Sequence, residues 1–489
     1  MAVRTLDRRA RAIVGALAVL GAASGSAWAQ AGDATAGKAV YERKCLLCHG
    51  EKGNGQGPGA DRLDPRPRDL TSGLYKIRTT KNTIPSDQDL LAVLTNGMPG
   101  TSMPPWEVLP EQDRRNLVAY IKTFAAEKFS EAAEPMELPP DVSSSPESIA
   151  RGKEMYEAIE CNKCHGSAGR ADGPSMPELK DEWGHHIRPA NLTKRWNFRG
   201  GASRRDVAMR LAAGLLGTPM PSFIDSVEKP EDIWHLTNYI FSLAPDSPDF
   251  ATLVPVASVR EAIPDDPNAD FWKTVAPSNI PLMGQVIIDP RNFNPSIDMI
   301  AVRGAYNDGE IAFHLTWDDP TQSVADPDKG IFADAVAIQF PATLEAGPER
   351  PYFLLGDGSS PVYLLGWEAG KGAAEATANG PDTVTPLAGS ETAAKIVYDN
   401  GQYRLVLKRP RRAVDAGRLG FEPARFTPVA FHARDGGAGE TGTKMSLTSW
   451  YYLRLEEPGS NRRFIVPPLV ALGTLAVLGL VVRVANRHR

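Results

Sequence analysis

Two short strings use up every cysteine in the chain. Cys45-Leu46-Leu47-Cys48-His49 and Cys161-Asn162-Lys163-Cys164-His165 share the order C-x-x-C-H, in a 489-residue sequence with 4 Cys and 8 His. With histidine that scarce, its arrival directly after both C-x-x-C pairs is not a chance event. The spacing has a chemical reason. Two thiols three residues apart reach the two vinyl groups on one edge of a porphyrin, and the next imidazole then meets the iron, so each string reads as an attachment site for covalent haem c. A redox dithiol or half of a zinc site would leave the histidine unexplained.

An internal repeat points to the sixth iron ligand. Gly97-Met98-Pro99-Gly100-Thr101-Ser102-Met103-Pro104 aligns without gaps on Gly214-Leu215-Leu216-Gly217-Thr218-Pro219-Met220-Pro221. Met103 and Met220 share a column, whereas Met98 faces a leucine, so the predicted axial pairs are His49 with Met103 and His165 with Met220. Their separations, 54 and 55 residues, are nearly equal. Other columns repeat too: Gly37-Lys38 with Gly152-Lys153, Arg66-Pro67-x-x-Leu70-Thr71 with Arg188-Pro189-x-x-Leu192-Thr193, and Leu117-x-x-Tyr120-Ile121 with Leu236-x-x-Tyr239-Ile240. The first lies in helical segments that begin after Asp33 and after Ser145-Pro146, both N-cap signals, and the last sits at helix-face spacing. The proline column is expected to present a carbonyl to the proximal imidazole. His185, His186 and His235 have no partner columns and read as surface or packing residues.

On these motifs residues 31–126 and 146–245 resemble two class I cytochrome c domains, joined by a Pro/Glu/Ser-rich linker at 127–145. The resemblance implies two small all-α folds, His and Met axial ligation, and outer-sphere electron transfer. A peroxidase would need an iron with an openable site, and both repeats carry the same methionine.

After about residue 258 the periodicity changes. Ile300–Tyr306 and Glu310–Trp317 flank Asn307-Asp308-Gly309, and Lys395–Tyr398 and Gln402–Leu407 flank Asn400-Gly401, both hairpin signals. Further strands are expected at Ala333–Phe340, Val362–Trp367, Pro428–Ala433 and Met445–Leu455, with a flexible loop at Gly370–Ala394. Residues 262–456 therefore read as an all-β, antiparallel sandwich. Through Val302-Arg303, Ala312-Phe-x-Leu-x-Trp317-x-Asp319, Phe332-x-Asp334, Pro361-Val362 and Lys444-x-Ser-x-x-Ser-Trp450 this region resembles the haem-b-binding gamma subunits of ethylbenzene dehydrogenase and related molybdenum oxidoreductases. In that family a methionine and a lysine hold the iron. Lys444 occupies the lysine place, while Phe353-Leu354-Leu355-Gly356 carries leucine where the methionine would fall. Met299, His314 and His432 are the alternative second ligands, and an empty sandwich is the competing reading.

The ends carry targeting signals. Arg4, Arg8, Arg9 and Arg11, an apolar run from Ala12 to Ala23 and Ala27-Trp28-Ala29 have the order of a secretory signal over residues 1–29. Phe464 to Val482, 19 residues without a charge between Arg462-Arg463 and Arg483, has the length of a membrane-spanning helix. The expected fold class is thus two all-α cytochrome c domains, an all-β sandwich and one C-terminal transmembrane helix at 464–482, on the periplasmic side of the inner membrane.

The expected function is electron relay by two covalent haem c, with redox proteins as partners and no bond-breaking chemistry. A formal charge of -5 gives no basic footprint for nucleic acid. Two further readings stay open: a gamma-type subunit of a molybdopterin oxidoreductase with an added haem b, and a cytochrome whose sandwich binds a ligand without cofactor.

Overall fold

The computed structural model describes residues 31–244, 250–293, 295–344, 350–413 and 417–458, together with Thr474. The chain divides into two units. The first takes residues up to 139 with 181–185 and 198–225; the second takes 140–180, 186–197 and everything from 226.

Six helices of ten residues or more occur among the described residues: α1 (Ala34–Lys44), α2 (Asp87–Asn96), α3 (Glu111–Thr123), α4 (Pro146–Ala158), α5 (Arg204–Ala213) and α6 (Asp232–Leu243). Their starts follow the local sequence. Asp33 caps α1 by accepting from the amides of Thr35 and Ala36, and Ser145 caps α4, with Pro146 in the first turn. In α2 and α5 a serine and an aspartate three residues on cap each other reciprocally, Ser86 with Asp89 and Ser203 with Asp206.

In the first unit α1 crosses α3 at Gly37, where a Cβ atom would lie 2.0 Å from the Asn116 carbonyl oxygen. In the second, α4 crosses α6 at Gly152, where a Cβ would lie 2.0 Å from the His235 carbonyl oxygen. Only a residue without a side chain admits so close a crossing. The packing around the crossings repeats as well: Tyr41 and Tyr120 have ring centroids 5.3 Å apart, and Tyr156 and Tyr239 5.2 Å apart. Both helix pairs thus bring the end of their first helix to the C-x-x-C-H segment.

The β region contains β1 (Leu253–Ser258), β2 (Ser278–Pro281), β3 (Met283–Gly284), β4 (Met299–Tyr306), β5 (Glu310–Asp318), β6 (Ala335–Pro341), β7 (Val362–Glu368), β8 (Gly372–Ala378), β9 (Thr385–Pro386), β10 (Ala393–Asp399), β11 (Gln402–Pro410), β12 (Phe426–Arg434), β13 (Ser446–Leu447) and β14 (Tyr451–Leu455). Eleven of them pair in the order β10-β11-β5-β4-β1-β14-β12-β6-β7-β8-β9, while β2 pairs with β4, and β13 with β12 and β3. Alternate residues of β5, Ile311, Phe313, Leu315 and Trp317, are buried in one core with Val336, Ile338 and Phe340 of β6. Those two strands are well separated in the pairing order, yet Phe313 and Phe340 have centroids 6.3 Å apart. The sheet therefore packs its two halves face to face.

Three expectations are corrected. The sheet is not purely antiparallel, because β1 pairs in parallel with both β4 and β14; the segment joining β1 to β4 is long enough for the crossover that parallel neighbours need. The Gly370–Ala394 stretch is not a loop throughout. It forms β8, fully paired with β7, and β9, its small residues having hidden the strand pattern. The transmembrane helix is also not supported. Among the described residues no helix is long and apolar enough to cross a membrane, and the C-terminal part of the β region ends in β14, paired to β1 and β12. An uncharged run reports transfer preference rather than backbone conformation. Residues 464–482, apart from Thr474, and residues 1–29 lie outside the described part of the chain.

Candidate haem sites

The first C-x-x-C-H segment lies along one wall of a cleft in the first unit that holds about 1240 Å³ of empty space, part of it open to solvent. Cys45, Cys48 and His49 line it together with Met98 and Met103. The segment is fixed from behind. The Tyr41 hydroxyl donates to the Gly50 carbonyl at 2.7 Å, and Gly50 turns the chain with φ 78°. His49 Nδ1 donates to the Arg68 carbonyl at 3.0 Å. This leaves Nε2 with its lone pair, and burial lowers the imidazole pKa, so the ring is neutral, the form that binds iron. Burial pushes the Cys45 thiol up to about 11.

A tight turn also lines the cleft. Gly97 adopts φ 66°, the Met98 amide donates to the Met103 carbonyl at 3.0 Å, and Thr101 Oγ1 donates to the Met98 carbonyl while accepting from the Met103 amide. Both methionines line the cleft, and Met103 packs on the hydrophobic cluster that includes Cys45. Cations gather nearby. Arg68 lies over the Trp183 ring at 4.5 Å with a buried Nη1 that has no hydrogen-bond partner among the described residues. Burial, with Arg199 and Arg68 adding repulsion, lowers Lys76 to about 7. Two thiols, a neutral imidazole, a thioether in the same cleft and the basic side chains of Arg68 and Lys76 suit a haem with its carboxylates.

The second C-x-x-C-H segment and the second methionine turn each repeat the local geometry of their counterparts. In the second unit Tyr156 donates to the Gly166 carbonyl at 2.6 Å and His165 Nδ1 to the Ala190 carbonyl at 2.8 Å. Burial lowers the pKa of His165 and raises Cys161 to about 12; Cys164 is raised by the same cause. In the first unit Gly214 adopts φ 71°, the Leu215 amide donates to the Met220 carbonyl at 3.1 Å, and Thr218 makes the same two bonds as Thr101. The acceptor for each imidazole follows the proline, Arg68 after Pro67 and Ala190 after Pro189. The tyrosine brace was missed from sequence, although Gly37-Lys38-x-x-Tyr41 and Gly152-Lys153-x-x-Tyr156 carry it as a repeat column. His185 and His186 are exposed, and His235 is bonded to Ser148 Oγ at 2.8 Å.

The β region offers a different picture around Lys444. Its amine donates to the Gly439 carbonyl at 3.1 Å. Leu354 and Leu355 are buried in one cluster with Met445 and Leu447. His314 places Nε2 3.0 Å from the Pro267 carbonyl and stacks on Trp272, Met299 pairs with Pro281 at the strand edge, and His432 is buried, its pKa lowered to about 4 by burial. This donor set fits a b-type haem poorly, because the amine donates to a carbonyl and the segment that the resemblance gives to the methionine carries buried leucines, which cannot ligate iron.

Comparisons with known proteins agree with the helical sites. The family described as cytochrome C oxidase, cbb3-type, subunit III matches residues 32–121, the cytochrome c family residues 149–244, and the ethylbenzene dehydrogenase family residues 269–393. A putative respiratory nitrate reductase heme subunit of Haloferax mediterranei is 28% identical over 233 residues, 47% of this chain and 82% of that protein. Cytochrome c-554(547) of Halothiobacillus neapolitanus is 38% identical over 98 residues, 19% of this chain and 99% of that protein. A solved chain from the reducing HAO-like protein complex of Kuenenia stuttgartiensis is 38% identical, covering 44% of this chain and 98% of its own length, with a TM-score of 0.42. With two C-x-x-C-H segments braced alike and near-complete coverage of a cytochrome c, this chain belongs to the cytochrome c family, with two such domains ahead of an ethylbenzene-dehydrogenase-type domain.

Proposed function

We propose that the chain is an exported dihaem electron relay, in which Cys45 and Cys48 hold one haem c with His49 and Met103 as axial ligands, and Cys161 and Cys164 hold the other with His165 and Met220. The observation that carries this reading is the repetition of one site geometry. Each proximal histidine donates Nδ1 to a carbonyl just after a proline, and each methionine is set by the same glycine and threonine turn. A bound haem supplies an iron that takes up and releases one electron at a time. The protein's part is to hold its ligands still. The carbonyl bond orients each imidazole and strengthens it as a donor, and the turn aims the thioether, so little reorganisation accompanies a change of charge. Arg68 and Lys76, which line the first cleft, would offset the charge of a bound haem's carboxylates.

The β region supports a docking role beside a molybdopterin oxidoreductase, since its family match is to ethylbenzene dehydrogenase and a relative is named a nitrate reductase heme subunit. No step is assigned to a haem b. The chain would then carry electrons between that enzyme and a second redox protein, breaking no substrate bond itself.

The test is a pair of substitutions in the full-length, haem-loaded protein. Met103→Leu should abolish the methionine-to-iron absorption band of one haem and lower its midpoint potential while both covalent haems remain, and Met98→Leu should leave band and potential unchanged. The reverse outcome would transfer the ligand role to Met98 and undo the repeat argument.

A further inference from the structure

We infer that the β region binds one calcium-class divalent cation at the buried carboxylates of Asp319, Asp334 and Asp435. The three residues come from separate places, Asp319 directly after β5, Asp334 directly before β6 and Asp435 directly after β12. One oxygen from each lies within 4.8 Å of the other two. All three are buried, with 0%, 0% and 2% of their surface exposed.

The hydrogen bonds around them leave the centre open. Asp334 accepts from the Ser323 amide at 2.6 Å and the Tyr403 hydroxyl at 2.7 Å on one oxygen, and from the Gly436 amide at 2.8 Å on the other. Asp435 accepts from the Ala438 amide at 2.9 Å, Thr321 Oγ1 at 3.2 Å and Ser296 Oγ at 2.5 Å. Asp319 uses Oδ1 for the Thr321 amide and hydroxyl. Its Oδ2, fully buried within this group, has no hydrogen-bond partner among the described residues. Glu440, 2% exposed, stands behind the cluster, accepting from the Asp435 amide and from Asn292.

Charge compensation is missing where the same domain supplies it elsewhere. Buried Glu375 faces Arg418 at 2.5 Å and Arg409 at 3.8 Å. Arg434, next to Asp435, pairs with Glu368 instead, and Lys444 donates to a carbonyl. Among the described residues no lysine, arginine or histidine forms an ion pair with Asp319, Asp334, Asp435 or Glu440. The other ionisable groups facing the cluster are the Tyr403 and Tyr398 hydroxyls, the latter donating to the Asp319 carbonyl at 3.1 Å. Burial and mutual repulsion raise Asp319 well above the carboxylate range, Asp334 to about 6 and Glu440 to about 6. Anions so placed must be neutralised by protons or by a cation.

The donor chemistry selects the ion. Every donor is oxygen, which suits hard cations rather than zinc or copper. Calcium accepts six to eight oxygens at about 2.3–2.6 Å in a flexible arrangement, whereas magnesium at about 2.0–2.1 Å demands a near-ideal octahedral set and keeps several waters. Bound there, the ion would tie the ends of three strands to the 435–444 segment.

The experiment uses the full-length haem-loaded protein, stripped with EGTA and titrated with CaCl₂ by calorimetry, with melting followed at the far-ultraviolet strand signal. One calcium should bind per chain, and at about 100 times the dissociation constant the strand transition should rise by roughly 5–10 °C. Asp319→Asn should abolish both effects. If that variant does not fold, the wild-type titration decides alone. No heat of binding, together with the same melting temperature in calcium and in EGTA, would show a protonated cluster and overturn the site.

Discussion

The helical domains and the β region solve the problem of the interior in opposite ways. In the first cytochrome domain the buried residues of α1, α2 and α3 surround a cleft of about 1240 Å³. Protein interiors pack at the density of organic crystals, whereas this cleft, lined by Cys45, Cys48, His49 and Met103, is partly open to solvent. The β region closes on itself: Phe313, Phe340 and Phe421 meet with centroids 5.2 to 6.3 Å apart, and Trp317 stacks on Tyr403 at 4.9 Å. One region arranges its buried side chains around the cleft that carries the C-x-x-C-H segment; the other packs its aromatic side chains against one another.

The strongest way to break this contrast is to remove the covalent anchorage of one haem. Cys45→Ser combined with Cys48→Ser should halve the covalent haem per chain and leave residues 31–126 without amide protection in hydrogen exchange, while the strands from 253 to 455 keep theirs. A first domain that stayed protected without haem would mean that its helices are self-sufficient.

A complementary substitution acts on the other side. Phe340 is fully buried among aromatic neighbours, and Phe340→Ala should cost the β region about 3–5 kcal/mol in denaturant unfolding. Both haem potentials and the Soret absorption should stay unchanged. A shift in either potential would show that the two interiors are coupled.

These differences explain what the sequence could and could not disclose. The C-x-x-C-H strings, the Met103 and Met220 columns and the Gly37 and Gly152 column were legible because each is written twice, although the close helix crossing at those glycines emerges only from the fold. Hairpins around Asn307-Asp308-Gly309 and Asn400-Gly401 were legible because turn chemistry is local. Strand β8 was not, because Gly372-Ala373-Ala374 carries no hydrophobic alternation and its partner β7 supplies the reason to be extended. The carboxylate group was not legible either. Asp319, Asp334 and Asp435 sit in three unrelated strings, the first two within motifs shared with the ethylbenzene dehydrogenase family, and sheet topology alone brings them together.

That carboxylate group gives the comparison a pH dependence. Asp334 and Glu440 are raised to about 6 in the folded chain, against about 3.9 and 4.3 when unfolded. A carboxyl whose folded pKa is raised binds its proton more tightly in the folded state. In EGTA, therefore, these two groups contribute stability that is present below about pH 4 and lost as pH rises toward 6, at up to about 1.4 kcal/mol per pH unit for each proton. With calcium the trend reverses, because the ion needs the ionised oxygens. Melting of the strand signal at pH 4, 5, 6 and 7, with and without calcium, checks this. Coincident curves would remove the cation from the account.

The smallest effect separates the two cytochrome domains from each other. Ser86 and Asp89 at the start of α2 mirror Ser203 and Asp206 at the start of α5, but the aspartates are loaded differently. Asp89 is buried and also accepts from the Thr79 amide at 3.1 Å and the Thr79 hydroxyl at 2.8 Å. Asp206 accepts from the amide and hydroxyl of its own capping serine. Losing either capping box should cost about 1 kcal/mol. Asp89→Ala should cost about 2 kcal/mol, because it also leaves a partly buried amide without an acceptor, and Asp206→Ala should cost about 1 kcal/mol. The two variants are compared by denaturant unfolding of the haem-loaded chain. Equal losses would show that the Thr79 bonds contribute nothing beyond the cap, and that the repeats are energetically as alike as their sequences.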